Sequence, residues 1–322
     1  MASLSGDPTK AVKAALFANG GIAIAKFVAA FYSGSATMLA EGVHSVADTC
    51  NQALLLVGIG LSKRRDPERF PLGRAKETYF WGFIVSLMLF FLGGVYAIYE
   101  GVHKLMAGGD PGSPIIPIVV LSVSILLEGG SFVVAIREFN KQRGTTPVRQ
   151  ALFSGKDPIL PIVVLEDAGA MFGLVLALIA VVVAWGTGSS LPDAVGSIVI
   201  GVLLCVIGVA LARDTRSLLI GEGMTPEMTA ETLRIAGSTE GIEEVTQVLS
   251  MHLGPETILL ALKVRFSAGM SVAESERVVD GLEASIRERI PQMSRIFVEA
   301  DSDYEAELDP VKPEIDLAKS EA

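Results

Sequence analysis

The chain has 322 residues, half of them hydrophobic, and a mean hydropathy of +0.50, which is too high for an ordinary soluble domain of this size. Its net charge of −10 is unevenly placed: positions 222 and beyond hold 21 acidic and nine basic residues, and the earlier positions hold 15 acidic and 17 basic ones. An acidic C-terminal third that is poor in aromatic residues argues against nucleic-acid binding, which requires a basic surface.

Six apolar segments are long enough to cross a bilayer, for which a helix needs about 20 residues. They cover positions 12–32, 36–61, 78–103, 114–137, 159–185 and 192–211. The sequence therefore predicts a polytopic α-helical membrane protein, with six transmembrane helices in a domain that covers residues 1–221.

The junctions between these segments alternate in charge. The junctions at 32–36, 106–113 and 186–191 are short, rich in Gly or Ser, and carry almost no positive charge. The other two junctions and the stretch after the sixth segment are basic and contain Lys63, Arg64, Arg65, Arg69, Arg74, Lys76, Lys141, Arg143, Arg149, Lys156, Arg213 and Arg216. Because positively charged junctions favour the cytoplasmic side, we expect both termini to be cytoplasmic.

The second apolar segment carries a stripe of polar residues in the stretch A-E-G-V-H-S-V-A-D-T-C-N-Q at 40–52. Glu41, His44, Asp48 and Asn51 fall within about 80° of one another on a helix, so they share one face. Ionisable groups at membrane depth cost several kcal/mol unless they face a cavity, a partner or an ion. The stripe therefore indicates a functional site.

The fifth segment supplies a second acidic group, Glu166 and Asp167, within V-V-L-E-D-A-G. Adjacent residues on a helix point about 100° apart, so at most one of the two aims directly at a given partner. With His44 and Asp48, these carboxylates could hold Zn²⁺, Mn²⁺, Fe²⁺ or Co²⁺ through one imidazole nitrogen and two or three oxygens.

Packing offers a plainer explanation of these residues, because a membrane His often bonds to a neighbouring helix and an Asp can pair with a Lys. The second and fifth segments contain no Lys or Arg, however, and four ionisable groups make a packing role expensive; metal or proton handling is favoured. Glu128 in the fourth segment is equally compatible with a proton relay and with a hydrogen bond to a neighbour. Asn51 and Gln52 are compatible with bonds across helices or with support of a metal ligand.

The pattern changes after position 224. Thr225 and Pro226 mark a helix start, 242–253 and Thr257–Phe266 read as strands, and Ser271 with Glu274 forms a capping box that opens a second helix. A short strand follows at 295–300. This order predicts a small α+β domain over residues 222–302, followed by an acidic, disordered tail at 303–322. We identify no cleavable signal, and so expect a bacterial inner membrane.

Together these features resemble the cation diffusion facilitator family, and most closely the branch typified by zinc transporter 9. The resemblance rests on six spans, the H-x-x-x-D motif in the second span, the acidic pair in the fifth, and the pieces S-A-T-M-L-A-E-G-V-H-S-V-A-D, F-P-L-G-R-A-K-E, E-G-G-S-F and S-L-L-I-G-E-G. It covers about residues 10–300. It implies a cytoplasmic ferredoxin-like domain, a homodimer, and export of a divalent metal in exchange for protons.

Carried over by position, the resemblance assigns His44, Asp48 and Asp167 to three of the family's four transport ligands. The fourth position, usually His, holds Val163 here, and Glu166 is the substitute that lies nearest in sequence. The loop motif H-P-x-G-H of many members reads Phe70-Pro71-Leu72-Gly73-Arg74, so we expect no second metal site there. Phe297 likewise replaces a His of the family's cytoplasmic domain, and we expect no regulatory metal in that domain.

The leading hypothesis is a proton-coupled efflux transporter for Zn²⁺ or another divalent ion. The metal ion is then the transported substrate, and no resident cofactor is expected. The alternative is a membrane scaffold or regulatory subunit that retains the fold without transport, and it is motivated by the departures at Phe70, Arg74, Val163 and Phe297. An enzyme is not expected, because the sequence has no HExxH, nucleophile elbow or phosphate-binding loop.

Overall fold

The computed structural model describes residues 7–33, 36–107, 115–153 and 155–300, except the side chains of residues 33, 36–41, 43, 44 and 107. Positions 34–35 of the predicted junction at 32–36 and positions 108–113 of the one at 106–113 lie outside the described residues, as does the whole predicted disordered tail at 303–322. Contacts divide the chain after Leu219 into two compact units.

All secondary-structure elements in the described part of the first unit are helices. Its helices are α1 (Pro8–Ser33), α2 (Ala36–Ser62), α3 (Glu77–Met88), α4 (Tyr96–Ala107), α5 (Ile115–Arg143), α6 (Val148–Phe153), α7 (Ile159–Thr187) and α8 (Leu191–Ile220). The short α6 lies in the basic junction between the fourth and fifth predicted spans and has no counterpart among the predicted elements.

Five helical stretches of the described chain are long and apolar enough to cross a membrane. They are Pro8–Tyr32, Glu77–Met106, Ile115–Arg143, Ile159–Thr187 and Leu191–Ile220. Helix α2, which carries the polar stripe, is not among these five, although its 27 residues form one continuous helix. The prediction of apolar spans is thus confirmed for five of six segments.

Local sequence explains where several helices begin and end. The carboxylate of Asp7 accepts a hydrogen bond from the backbone N–H of Thr9 at 3.0 Å, and Pro8 follows as the first residue of α1, as at many helix starts. Helix α7 ends where Gly188 adopts a φ of +67°, a conformation that favours glycine. The Gly- and Ser-rich junction predicted at 186–191 is therefore a true helix break.

Helices α1, α2, α5 and α7 form the packed core of the first unit. Helix α1 contacts α2 and α5, and α5 contacts α7. Side chains of Val12, Leu55, Leu160 and Val163 are almost fully buried in one apolar cluster between them. This packing holds the polar residues of α2 and α7 against each other.

The third predicted span is interrupted by a π-helical segment, Leu89–Val95, between α3 and α4. Such segments disturb the regular helical hydrogen-bond pattern and often occur at functional sites. Gly93 and Gly94 lie in this segment, and the backbone of α8 approaches Gly94 so closely that a β-carbon there would lie 2.8 Å from the Cys205 backbone nitrogen. The apolar sequence of this segment did not predict its π-helical conformation.

The second unit contains α9 (Pro226–Gly237), β1 (Ile242–Gly254), β2 (Thr257–Phe266), α10 (Val272–Arg289) and β3 (Met293–Ala300). The predicted helix–strand–strand–helix–strand order is confirmed. The Thr225 side chain accepts from the backbone N–H of Met228 at 3.4 Å, and Ser271 and Glu274 form the predicted capping box.

The three strands form one sheet in the order β1-β2-β3, with β1 and β2 antiparallel and β2 and β3 parallel. A ferredoxin-like pattern has four strands, and the described residues of this unit contain three. Ile258, Leu260, Leu262 and Val264 alternate along β2 and are buried in the core with residues of both helices. The alternate residues of β2 lie on the opposite face of the sheet.

Removal of the α10 cap provides a test of the second unit. We expect Ser271→Ala to destabilise the first turn of α10 by about 1 kcal/mol, the usual cost of losing a helix cap. Hydrogen bonds from the Ser271 hydroxyl and backbone N–H lower the pKa of Glu274. The contribution of this carboxylate to stability is therefore present above its unfolded-state pKa and lost as the pH falls through its lowered folded-state pKa.

Hydrogen–deuterium exchange of the full-length protein, read on peptides that cover 271–289, measures both effects. The expected result is a lower protection factor, that is, faster exchange relative to the intrinsic rate at the same pH, both in Ser271→Ala and in the native chain as the pH falls through the lowered pKa of Glu274. Unchanged protection of these peptides in Ser271→Ala would contradict it. Exposed Asp280→Asn on the same helix is the control.

Candidate functional site

Two amides of α2 point from the polar stripe toward α7. Asn51 and Gln52 are almost fully buried, and their side-chain nitrogens both donate to Glu166, at 3.1 Å from Asn51 to Oε1 and 2.7 Å from Gln52 to Oε2. These bonds cross between helices, and because Glu166 is one of the predicted ligands, support of a metal ligand by the two amides stays a prediction. The two hydrogen bonds tie α2 to α7.

The neighbouring carboxylate, Asp167, turns toward α5 and is fully buried. Its Oδ2 accepts a hydrogen bond from the Ser131 hydroxyl at 3.0 Å, whereas its Oδ1 is buried with no hydrogen-bond partner among the described residues. Glu166 and Asp167 therefore face different helices, as the 100° step between adjacent residues requires.

A cavity of about 190 Å³ lies within the first unit. Asp48 of α2, Glu128 of α5 and Glu166 of α7 line it. Polar side chains of α1 join them, including Lys26, which is 6% exposed. The charges of Asp48, Asp167 and Lys26 all act on Glu128, so these groups form one electrostatic cluster.

A second group of charges lines the same cavity where α4 ends and α8 begins. The Lys104 ammonium lies 3.0 Å from a carboxylate oxygen of Glu100 and 3.1 Å from one of Asp193. The lysine thus joins two acidic residues from different helices. The cavity therefore extends from the carboxylates of α2, α5 and α7 to the two ion pairs of Lys104. These ion pairs lie at the end of the third and the start of the sixth predicted spans.

Of the four predicted ligand residues, the structure places three in one cluster, but not closely enough to form a metal-binding group. Asp48, Glu166 and Asp167 belong to one cluster of charges, but no three His, Cys, Asp or Glu side chains within the described part of the chain are grouped closely enough to hold a metal ion. His44 lies on α2 one turn before Asp48, and its side chain lies outside the described residues. The assignment of these four residues as ligands remains a prediction.

Comparison with models of known protein families shows to which family the chain belongs. Residues 12–220 match the family model described as the cation efflux transmembrane domain, and residues 224–303 match the model of the cation efflux protein cytoplasmic domain. The chain belongs to the cation efflux family. The predicted membership of the cation diffusion facilitators is thereby confirmed.

Individual relatives extend this result. Metal tolerance protein C4 of Arabidopsis thaliana is 33% identical over 266 residues, which is 82% of this chain and 58% of the relative. The proton-coupled zinc antiporter SLC30A9, mitochondrial, of Mus musculus is 32% identical over 264 residues, 81% of this chain and 45% of the relative. The chain thus spans about half the length of these two relatives.

Another relative has a length more similar to that of this chain. Magnetosome protein MamB of Magnetospira sp. (strain QH-2) is 24% identical over 286 residues, which cover 88% of this chain and 92% of the relative.

Two departures from the cation efflux motifs have clear structural consequences. The guanidinium of Arg74 lies 4.6 Å from the ring centroid of Phe70 and 2.7 Å from a carboxylate oxygen of Glu77. The F-P-L-G-R loop is therefore held by a cation–π contact and an ion pair, at positions where many members have two His. Val163 is fully buried in the apolar core and brings no ligating atom to the site.

Sequence reasoning missed two residues of the cluster, Lys26 and Ser131. Lys26 had a visible signal, because it is a single cation in the middle of the apolar run I-A-K-F-V. Ser131 had a weaker one: it follows Glu128 by three residues and therefore shares its helical face.

Proposed function

We propose that this chain is a proton-coupled exporter of divalent metal ions, with Zn²⁺ as the main substrate and Mn²⁺, Fe²⁺ and Co²⁺ as further candidates. The observation that carries the proposal is the cluster of carboxylates around the cavity, contributed by α2, α5 and α7 in a member of the cation efflux family, of which Glu128 and Glu166 are buried and Asp48 is partly exposed. A relative whose name describes a proton-coupled zinc antiporter supports both the metal and the exchange with protons.

In this proposal the metal reaches the site from the cytoplasm between α2 and α7 and binds to His44, Asp48, Asp167 and a further carboxylate. Rocking of the bundle then exposes the site to the other side. Imidazole and carboxylate bind metal only when they are deprotonated, so protons that arrive from that side expel the ion. Each cycle thereby exchanges metal for protons.

We further propose that α2 also crosses the membrane, which brings the number of spans to six. Both termini and the basic junctions then lie in the cytoplasm, as in a bacterial inner-membrane protein. The basic residues of the two basic junctions and of the stretch after the sixth segment support this orientation. The domains proposed from the sequence are 1–221 in the membrane and 222–302 in the cytoplasm, with an acidic tail at 303–322.

A reconstituted assay tests the proposal. Purified protein in liposomes that contain a zinc-sensitive dye and an acidic lumen should accumulate Zn²⁺ faster than protein-free liposomes, and collapse of the pH gradient should slow that uptake. A competition series with Mn²⁺, Fe²⁺ and Co²⁺ ranks the substrates. Uptake equal to that of empty liposomes for every ion, by a protein that remains folded, would favour the scaffold function instead.

The scaffold is the second candidate because the family's fourth ligand position holds buried Val163 and the loop motif is replaced by the Phe70–Arg74 contact. A scaffold would still bind a partner subunit. The liposome assay separates the two candidates, since only a transporter moves metal.

We also propose that the protein is a homodimer that associates through the sheet of its second unit. Leu249, Ala261 and Phe297 lie side by side across β1, β2 and β3, and Leu249 and Phe297 are 52% and 56% exposed. This apolar row lies on strand positions that alternate with the buried ones, so the helices of the unit do not cover it. A second copy would bury the row on both partners.

Substitution of Phe297 tests the dimer. We expect Phe297→Asp to raise the dissociation constant of the dimer at least about tenfold, which corresponds to about 1.4 kcal/mol, because it places a charge in an apolar contact. Sedimentation of the full-length protein in detergent measures the change. Val272→Asp is the control, since Val272 is also apolar and exposed but lies on α10; equal effects of the two substitutions would contradict the assignment of the sheet face.

A further inference from the structure

The ion pairs of Lys104 join two helices at one end of the cavity. Lys104 lies in the last turn of α4 and Asp193 in the first turn of α8, and their charged atoms are 3.1 Å apart. Each charge has the sign that the helix dipole favours at its position. Glu100 lies one turn before Lys104, and a Glu four residues before a Lys is the favourable order for a helical ion pair. Glu100 therefore orients the ammonium toward Asp193.

These three charged residues lie between the cavity and the exterior. They line the same cavity as Glu128 and Glu166. Glu128 and Glu166 are 2% and 5% exposed, whereas the side chains of the ion pairs range from 22% to 35% exposed. The Lys104 ion pairs thus stand where the cavity wall reaches the surface of the first unit.

The ion pairs lie on the side of the membrane opposite the basic junctions. Helix α4 ends in the junction at 106–113 and α8 begins after the junction at 186–191, and both junctions carry almost no positive charge. In the proposed orientation this side is not cytoplasmic. An exported ion would therefore leave the cavity past Lys104.

Close packing of the two backbones leaves the path at this point to the side chains. A β-carbon on Gly101, beside Glu100, would lie 2.8 Å from the carbonyl oxygen of Ala194, so α4 and α8 are in direct contact here. The lysine side chain is flexible, and partly exposed ion pairs contribute little to stability. Lys104 can therefore leave Asp193 at low cost without a separation of the helices.

We propose that Lys104 is a gate, which closes the non-cytoplasmic end of the cavity while it is paired with Asp193 and opens it when this pair breaks. The inference rests on the proposed function, because the ion whose release the gate controls is the one that the proposed exporter moves. It extends that function to α4 and α8, which carry none of the predicted ligands.

Thiol labelling in intact bacterial cells measures the opening of the gate without any transport. Cys50 and Cys205 are first replaced by Ala, and Ala170→Cys then places a thiol in the cavity wall, on α7 beyond Asp167. A membrane-impermeant cationic methanethiosulfonate reagent is added outside the cells. Mass spectrometry of the purified full-length protein gives the rate of labelling.

We expect both Lys104→Gln and Asp193→Asn to speed labelling about three- to tenfold, because the loss of a partly exposed ion pair shifts a closed–open equilibrium by that order. The two substitutions change the charge of the cavity in opposite directions. A purely electrostatic effect on the cationic reagent would therefore speed labelling in Lys104→Gln and slow it in Asp193→Asn. Lys104→Arg keeps the charge and should label at nearly the native rate.

The control is Lys10→Gln, which removes an exposed ion pair with Asp7 and should not change the labelling rate. Native labelling rates in both gate variants, opposite shifts in the two, or an equal increase in Lys10→Gln would overturn the gate. If Lys104→Gln does not fold, Asp193→Asn decides, since it breaks the same pair.

Failure of the gate and failure of the proposed function give different results. Zinc uptake by the native protein in liposomes, together with unchanged labelling in the gate variants, would overturn the gate alone. Faster labelling in both variants of a protein that takes up no metal would contradict export and leave the control of access by Lys104 in place.

Discussion

Replacement of Asp48 or Asp167 by Asn should reduce zinc uptake into proteoliposomes at least about 100-fold, equivalent to about 2.8 kcal/mol. Each substitution removes one negative charge from a site that must offset the dehydration of a divalent ion, and an amide oxygen is a much weaker ligand than a carboxylate. Asp48 lines the cavity, and Asp167 is fully buried with one oxygen free of hydrogen bonds among the described residues. The two losses should be non-additive, because both residues act on one ion.

Folding must be separated from transport in this experiment. Asp167 accepts a hydrogen bond from Ser131, so Ser131→Ala gives the cost of losing that bond alone and should keep most of the uptake. Asp280→Asn, on the exposed face of α10, controls for the change of charge. Initial rates are compared at equal protein density. Uptake above half the native rate in Asp48→Asn would remove the basis for placing the transport site on α2.

The second unit was predictable because its signals are local. A Thr followed by Pro, a Ser three residues before a Glu, and the alternation of β2 each act within a few residues, and all three recur in the structure. The parallel pairing of β2 with β3 is not local, since it depends on the crossover through α10.

The candidate functional site was predictable only in part. Charged residues inside apolar segments stand out in any sequence, which is why Asp48, Glu166 and Asp167 were found. Which helix each of them faces depends on the packing of α5 against α7 and on the hydrogen bonds from α2 to α7, and no periodicity within α7 contains that information. For this reason the partnership of Glu166 with Asn51 and Gln52, and that of Asp167 with Ser131, could not be assigned in advance.

The second large effect is expected from a substitution at the close contact between the third and sixth predicted spans, which we call the helix seam. Gly94 and Gly201 face each other so closely that a β-carbon on Gly201 would lie 2.7 Å from the Gly94 carbonyl oxygen and 2.8 Å from the Ile98 nitrogen. Backbone cannot move aside as a flexible side chain can. Gly201→Ala should therefore force α8 away from the π-helical segment and α4, and destabilise the protein by about 1–3 kcal/mol or more, the cost of overpacking a core.

The same seam lines the cavity, because Gly93 and Leu204 on its two sides are part of the wall. Gly201→Ala should thus lower zinc uptake as well as the melting temperature in detergent, whereas Gly130→Ala in α5, where an added β-carbon meets nothing within 4 Å, should change neither. If the close contact at Gly201 serves only stability, a different result is expected. The Gly201→Ala protein that remains folded after purification would then transport zinc at the native rate per folded molecule. Loss of rate in the folded fraction instead means that the close contact at Gly201 fixes the shape of the path through which the metal moves.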